Sequence, residues 1–309
     1  MFWEGLTSMI RQKRHRTVVG VLLVWLSVLV AGCSPANWEG VAGRLAENTS
    51  VAPAVEGEGQ LRVIFLDVGQ GASQLLISPS GHTMLIDAGN NDQEQAMLDY
   101  LRSYGVARLD VVIGTHPDAD HIGGLDRVID RLDIGEIYMP RIQSNTKTYE
   151  SLLNSIRSKG LKVKTAKAGL ELSWDEQVKV SMIAPVTVTD DNNNMSAVVK
   201  VTYGCTSFLL TGDAESESER EMLESGVNLR ADVLLVGHHG SKSSTTAKFL
   251  NAVKPKYAVI QVGENSYGHP TKTILNRLSK QQAEVYRNDL QGTVEFASDG
   301  EGYRITTER

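Results

Sequence analysis

Cysteine is nearly absent from this sequence. Cys33 and Cys205 are its two cysteines among 309 residues, so at most one disulfide can form. A disulfide framework and a cysteine-rich zinc cluster are both excluded. An excess of basic charge is missing too. Lysine and arginine number 31 against 37 aspartates and glutamates, a formal net charge of -6. That balance argues against a protein that coats nucleic acid with a broad basic surface, but it leaves room for a local basic patch or a bound metal to recruit phosphates. Long apolar runs are scarce: residues 17–30 form one, shorter than the roughly 20 residues of a spanning helix. What remains is 41% hydrophobic and 22% charged, an ordinary globular composition with length for one large domain plus an appendage.

The N-terminus has the layout of an export signal. Arg11, Lys13, Arg14 and Arg16 precede the apolar run, which ends in Val30-Ala31-Gly32-Cys33. It resembles a bacterial lipoprotein signal, in which Cys33 becomes the lipidated first residue of the mature protein. An uncleaved membrane anchor is the other reading, and both put the rest of the chain outside the cytoplasmic membrane. If Cys33 carries lipid, Cys205 has no intramolecular partner, and its neighbours in residues 198–210 predict a small buried hydrophobe. Residues 34–60 hold Pro35, Pro53, Gly40, Gly43, Gly57 and Gly59, with few large aliphatics and no sustained period. They read as a flexible tether, followed by a folded domain over 61–309.

Within that domain, apolar runs bounded by turn residues predict strands at 61–67, 73–78 and 83–87, a helix over 92–104, and a strand over 109–114. A helix over 122–132 follows. Farther on, strands are expected at 136–139, 162–166, 178–183, 197–203, 207–211, 232–236, 257–262, 284–287 and 294–297, with helices at 147–158, 215–224, 245–252 and 271–280. Hairpins alternate with crossover helices instead of forming a uniform βαβ repeat. This predicts an α/β (α+β) domain of mixed sheets with helices outside, not a doubly wound parallel sheet.

The densest chemistry is Thr115-His116-Pro117-Asp118-Ala119-Asp120-His121, at the end of a β-branched run. Two histidines and two aspartates in seven residues form a metal-ligand density, and imidazole with carboxylate suits divalent zinc, manganese or iron. Pro117 stops the segment continuing as regular strand or helix, so a loop is expected. Other strands end the same way: Leu209-Leu210-Thr211-Gly212-Asp213, and Val236-Gly237-His238-His239-Gly240-Ser241. Gln261-Val262-Gly263 leads into Asn265-Ser266-Tyr267-Gly268-His269-Pro270, and Asp67 and Asp87 close the first hairpins. Ligands on strand-end loops over a layered core are a common way for sheets to build sites. Gly240-Ser241-Lys242-Ser243-Ser244, before a helix starting near Thr245, would gather N–H groups, hydroxyls and a cation into an anion site; an ordinary serine N-cap is the alternative. His82 and His15 are read as non-functional.

Together, His116-Pro117-Asp118-Ala119-Asp120-His121, Asp213 and His238-His239-Gly240-Ser241 resemble the metallo-β-lactamase superfamily. More narrowly, Phe65-Leu66-Asp67-Val68-Gly69-Gln70-Gly71, Leu85-Ile86-Asp87-Ala88-Gly89, His121-Ile122-Gly123-Gly124, Leu210-Thr211-Gly212-Asp213 and Gly268-His269-Pro270 are similar to the hydrolase domain of ComEC-type competence proteins. The resemblance runs from about Leu61 to the C-terminus. It implies an αββα metallo-β-lactamase sandwich with a metal site along one edge of the paired sheets. It also implies one metal on Asp120, His121 and His238 or His239 with Asp213 bridging, and another on His116, Asp118 and Asp213.

Three departures from the family pattern stand out. Asp118 occupies the usual second histidine position. No histidine lies between His121 and His238, where Asn192, Asn193, Asn194 and Ser196 stand instead. Ala72 replaces a common aspartate. The oxygen-richer shell admits Mn2+ or Mg2+ beside Zn2+, on one or two ions.

Metal-bound water supplies hydroxide near neutral pH, and Asp120 or Asp118 is expected to orient that water or take its proton. The resemblance gives His269 the place of a general acid or phosphate-holding group, against a plain turn residue before Pro270. The expected function is that of an exported, membrane-tethered metal-dependent hydrolase of phosphodiesters. Its substrate would be DNA or another nucleic acid, and it would work near a DNA-uptake system or as a scavenging nuclease. A metal-dependent esterase or lactonase on small molecules or cell-wall phosphate esters is the rival within the class. A non-catalytic nucleic-acid-binding partner is the rival outside it. The multi-helix channel domain that ComEC-type proteins carry is expected to be missing.

Overall fold

Residues with side chains that alternate between two apolar surroundings organise the domain. In the computed structural model, which describes residues 59–309, Leu61, Val63 and Phe65 face one core while Ile64 and Leu66 face another. Val111 and Ile113 likewise point opposite to Leu109 and Val112. A strand buried on both faces belongs to a sheet covered on both faces. The expected export signal, Cys33 and most of the expected tether, up to residue 58, lie outside the described residues.

The strands are β1 (Leu61–Phe65), β2 (Gln74–Ile77), β3 (Thr83–Ile86), β4 (Arg108–Ile113), β5 (Asp133–Met139), β6 (Val163–Thr165), β7 (Leu170–Leu172) and β8 (Val178–Ala184). They continue with β9 (Val198–Tyr203), β10 (Thr206–Leu210), β11 (Val233–Leu235), β12 (Tyr257–Ile260), β13 (Glu284–Arg287), β14 (Val294–Ser298) and β15 (Tyr303–Thr307). One sheet runs β15-β14-β1-β2-β3-β4-β5-β6 and the other β13-β12-β11-β10-β9-β8-β7. Pairing is antiparallel up to β3 and parallel from β3 to β6. It is again antiparallel from β7 to β10, then parallel from β10 to β13. The β14–β15 hairpin returns to flank β1. Between the sheets, Phe296 stacks edge-on with Phe65 and Phe208 at centroid distances of 6.0 and 6.1 Å, a favourable geometry for aromatic rings.

Helices α1 (Glu94–Ser103), α2 (Ala119–Ile122), α3 (Leu125–Arg131) and α4 (Lys147–Ser158) cover the first sheet. Helices α5 (Ser216–Glu224), α6 (Ala247–Val253) and α7 (Lys272–Lys280) cover the second, and α8 (Asn288–Gln291) precedes β14. This is the expected αββα sandwich. Helix α4 begins where predicted because Thr146 Oγ1 accepts the N–H of Tyr149, an N-cap. Among the described residues no helix is long and apolar enough to cross a membrane.

Several local expectations differ from the structure. The helix predicted over 122–132 is interrupted at Gly123-Gly124 and resumes at Leu125; a Cβ on Gly123 would lie 2.3 Å from the Asn91 nitrogen, so glycine permits the close approach of residues 90–91 there. Strands β7 and β15 and helix α8 escaped prediction: β7 has one buried residue and β15 is half exposed. Cys205, predicted buried, is exposed. It occupies the turn between β9 and β10, where its N–H donates to the Gly300 carbonyl at 2.6 Å and its side chain lies beyond the strand faces.

Candidate metal centre

The loops that leave the C-terminal ends of β3, β4, β10, β11 and β12 meet at one edge of the sandwich. In each sheet these ends lie where antiparallel pairing gives way to parallel. Four imidazoles converge there, each fixed through Nδ1. His121 Nδ1 donates to Asp87 Oδ2 at 2.7 Å, His239 Nδ1 to the Gln261 carbonyl at 2.7 Å, and His238 Nδ1 to Glu215 Oε1 at 2.8 Å. The Thr115 hydroxyl donates to Asp87 at 2.6 Å, so at 3.1 Å it accepts from His116 Nδ1. Protons held on Nδ1 leave the Nε2 lone pairs for the centre.

Those Nε2 atoms gather around Asp213. His121 Nε2 lies 3.1 Å from Asp213 Oδ1 and 3.3 Å from His239 Nε2. His239 Nε2 lies 3.3 Å from Asp120 Oδ2 and 3.6 Å from Asp213 Oδ2. On the other side His116 Nε2 is 3.9 Å from Asp213 Oδ2 and 3.7 Å from Asp118 Oδ2, and His238 Nε2 is 3.7 Å from Asp213 Oδ2. Two groups, His116 with His121 and Asp213, and Asp120 with His121 and His239, have donor atoms all within 4.8 Å of one another.

The buried carboxylates and imidazoles of the cluster perturb one another strongly. Burial opposes ionisation of Asp213, yet His121 and His239 outweigh it and hold the carboxyl well below the usual range. Burial likewise opposes charge on His121, but Asp213 and Asp87 push it well above its ordinary value. Burial would raise Asp120, and the His239 hydrogen bond and His121 reverse that, lowering it. His116, fully buried beside His121, is lowered, and its Nε2 has no hydrogen-bond partner. An orphaned buried lone pair facing ionised carboxylates fits a divalent cation. The mixed nitrogen and oxygen set is common to zinc, manganese and iron.

Backbone strain accompanies the site. Asp87, His238 and His239 have φ of 58°, 48° and 53°, in the left-handed region that costs non-glycine residues on the order of 1–3 kcal/mol each. The hydrogen bonds just described hold them there.

Each expected site residue can now be placed. Asp120, His121, Asp213 and His239 stand together, and His116 joins them through Asp213. His121 belongs to both groups, although the resemblance placed it on one metal only. Asp118, with its side chain 42% exposed, sits on the rim, where Asn192 Nδ2 donates to its Oδ1 at 2.6 Å. His238 lies farther out than His239, its ring 5.6 Å from that of His269. Burial and the imidazoles of His238 and His239 lower the pKa of His269.

Segment 192–196 braces the centre. Asn193 Nδ2 donates to Glu215 at 3.3 Å, and Ser196 Oγ accepts the Asp213 N–H at 3.1 Å. The loop from Ser241 to Ser244 is turned inward: Ser241 and Ser243 hydroxyls lie 2.7 Å apart, Ser243 donates to Glu215 at 2.8 Å, and Ser244 to the Gly237 carbonyl at 2.6 Å. Helix α6 starts after Thr246, and the Thr245 and Thr246 N–H groups already donate to the buried Glu219 carboxylate. A built-in anion thus takes the place expected for an external one. Lys242 is exposed. Asp67 turns away to Arg309 at 2.8 Å.

Sequence reading assigned no role to Asp87, Thr115, Glu215 or the Gln261 carbonyl, which set the imidazole orientations. Asp87 carried a signal, an aspartate ending a strand; Glu215, two residues after Asp213, carried only proximity.

This fold and this donor cluster define a class, and the chain belongs to the metallo-beta-lactamase superfamily, whose sequence model matches residues 67–264. The chain is 30% identical over 265 residues to ComE operon protein 3 of Bacillus subtilis, covering 80% of this chain and 34% of that protein. It is 31% identical over 283 residues to competence protein ComA of Neisseria gonorrhoeae, covering 90% and 38%. It spans about a third of the length of these curated relatives. Among solved structures, the metallo-beta-lactamase fold protein YhfI from Bacillus subtilis superposes with a TM-score of 0.50 at 13% identity, over 77% of this chain and 99% of that one, a likeness of fold.

Proposed function

We propose that the chain is an exported, membrane-tethered metal-dependent phosphodiesterase that cleaves DNA in the setting of DNA uptake. The observation that carries the reading is the pair of donor groups on either side of Asp213, in a chain related to competence proteins. Divalent ions held by His116, His121 and Asp213, with Asp118 and His238 beside them, and by Asp120, His121 and His239, would activate water and neutralise charge at phosphorus. Zinc or manganese suits the set, and magnesium suits its oxygen-rich side.

The chain's own residues supply the rest. Asp120, its side chain 32% exposed, reaches the opening with its carboxyl ionised, so it can orient a water or take its proton. Asp118, steadied by Asn192, offers a second carboxylate at the rim. His269, below its ordinary pKa and therefore neutral at pH 7, would hold a phosphate oxygen through an N–H. Lipid on Cys33 would hold the domain at the membrane through the tether.

The test uses the full chain stripped of metal, then given zinc, manganese or magnesium with single-stranded DNA, duplex DNA and a chromogenic phosphodiester. Metal should restore cleavage, and Asp120→Ala should abolish it. Restoration of ester or lactone hydrolysis alone, with no diester cleaved under any metal, overturns the reading. Cys33→Ser should shift the protein out of the membrane fraction.

A further inference from the structure

Beside the donor cluster, the loop of residues 261–270 carries a feature that cleavage alone does not require. Tyr267 is 73% exposed, the one aromatic ring among the large exposed hydrophobic side chains of the described residues. Its loop is braced. The Asn265 side chain donates to the Gly263 and His269 carbonyls at 2.8 and 3.0 Å, and accepts the N–H groups of Tyr267 and His269 at 3.1 and 3.0 Å. Gly268, at φ 76°, turns the chain between the two rings. The Tyr267 ring lies 5.8 Å from that of His269, inclined 31°. His269 lies 5.6 Å from His238, and His238 Nε2 lies 3.7 Å from Asp213. A solvent-facing ring on a braced loop therefore stands two imidazoles away from the carboxylate at the centre of the site.

Fixed aromatic faces bind nucleobases without regard to sequence, because every base has a π-face. In a duplex both faces of a base are covered by its neighbours, so a protein ring can stack only on a base that is unpaired or frayed. We propose that Tyr267, backed by His269, is the platform on which an unpaired base flanking the scissile phosphodiester stacks, giving the site a preference for single-stranded over duplex nucleic acid. The proposal rests on the phosphodiester reading of the centre.

Two measurements on the full chain separate the platform from that reading. In the first, metal-stripped protein titrates a single-stranded oligonucleotide containing 2-aminopurine, whose fluorescence is quenched on stacking. Tyr267→Ala should weaken this binding about 5- to 150-fold, the range for loss of one stacked base, and Tyr267→Phe should restore it. In the second, manganese-loaded protein cleaves single-stranded DNA, duplex DNA and methyl p-nitrophenyl phosphate, a diester without a base. Tyr267→Ala should raise KM for single strands at least fivefold more than for the base-free diester, and the preference for single strands over duplex should collapse.

Equal losses on all three substrates, or unchanged oligonucleotide binding in Tyr267→Ala, overturn the platform. So does a wild-type chain that binds no oligonucleotide. Quenching that depends on Tyr267 in a chain that cleaves none of the three would refute the phosphodiester reading and leave the platform standing.

Discussion

Replacing Asp87 with asparagine isolates the role of a single proton. Asp87 Oδ1 accepts the Thr115 N–H at 2.8 Å, and Oδ2 accepts both the Thr115 hydroxyl and His121 Nδ1. Asparagine can keep its carbonyl on the Thr115 N–H. Its amide nitrogen then faces the hydroxyl, which can turn, and His121 Nδ1, which cannot donate to another donor. The imidazole must offer a lone pair there and move its proton to Nε2, the atom 3.1 Å from Asp213 and shared by both donor groups. Loss of an orienting partner of this kind typically costs 10–100-fold in metal affinity, or about 1.4–2.7 kcal/mol. Competition against a chromogenic chelator reads the affinity directly, and circular dichroism checks that the variant is folded. If folded Asp87→Asn binds zinc within twofold of wild type, the tautomer argument is refuted.

Two further changes probe the scaffold. Gly71 has φ 154°, and a Cβ there would lie 2.5 Å from the Asp120 carbonyl oxygen; Gly71→Ala should cost on the order of 2 kcal/mol in urea unfolding and lower metal affinity by displacing the loop. For Asp110, burial favours the neutral form, but the Thr83 N–H and Arg108 outweigh it and lower the pKa. Its stabilisation is therefore full above the ordinary aspartate value of about 4 and fades as pH falls through the lower folded value. Asp110→Asn should cost roughly 1 kcal/mol or less in urea at pH 7, and the difference from wild type should shrink as the pH is taken below about 4.

Much of the candidate site was legible because its donor residues are clustered in sequence. His116 to His121 lie within six residues at the end of β4 and the start of α2, and His238 and His239 are adjacent, so type and spacing announce them without knowledge of the fold. The strands were legible for a related reason: residues such as Val111, Val112 and Ile113 are buried on both faces and read as unbroken apolar runs. What failed depended on distance in the chain. Ser241 to Ser244 looks like an anion loop until Glu219, from another helix, takes the Thr245 and Thr246 N–H groups that follow it. His238 and His239 cannot be ranked from sequence, because the difference lies in which one the Gln261 carbonyl draws toward Asp120. Cys205 sits among apolar neighbours, but the tight turn between β9 and β10 places it outside them.

The division of the donors between the two sheets has a consequence for assembly. His116, Asp118, Asp120 and His121 follow strands of one sheet, and Asp213, His238 and His239 follow strands of the other. Neither half owns a complete site: Asp213 and His239 reach across the gap to His121 and Asp120. A bound cation would therefore act as a rivet through the seam of the sandwich, and a chain recovering from unfolding would regain its metal affinity only after its two layers had docked.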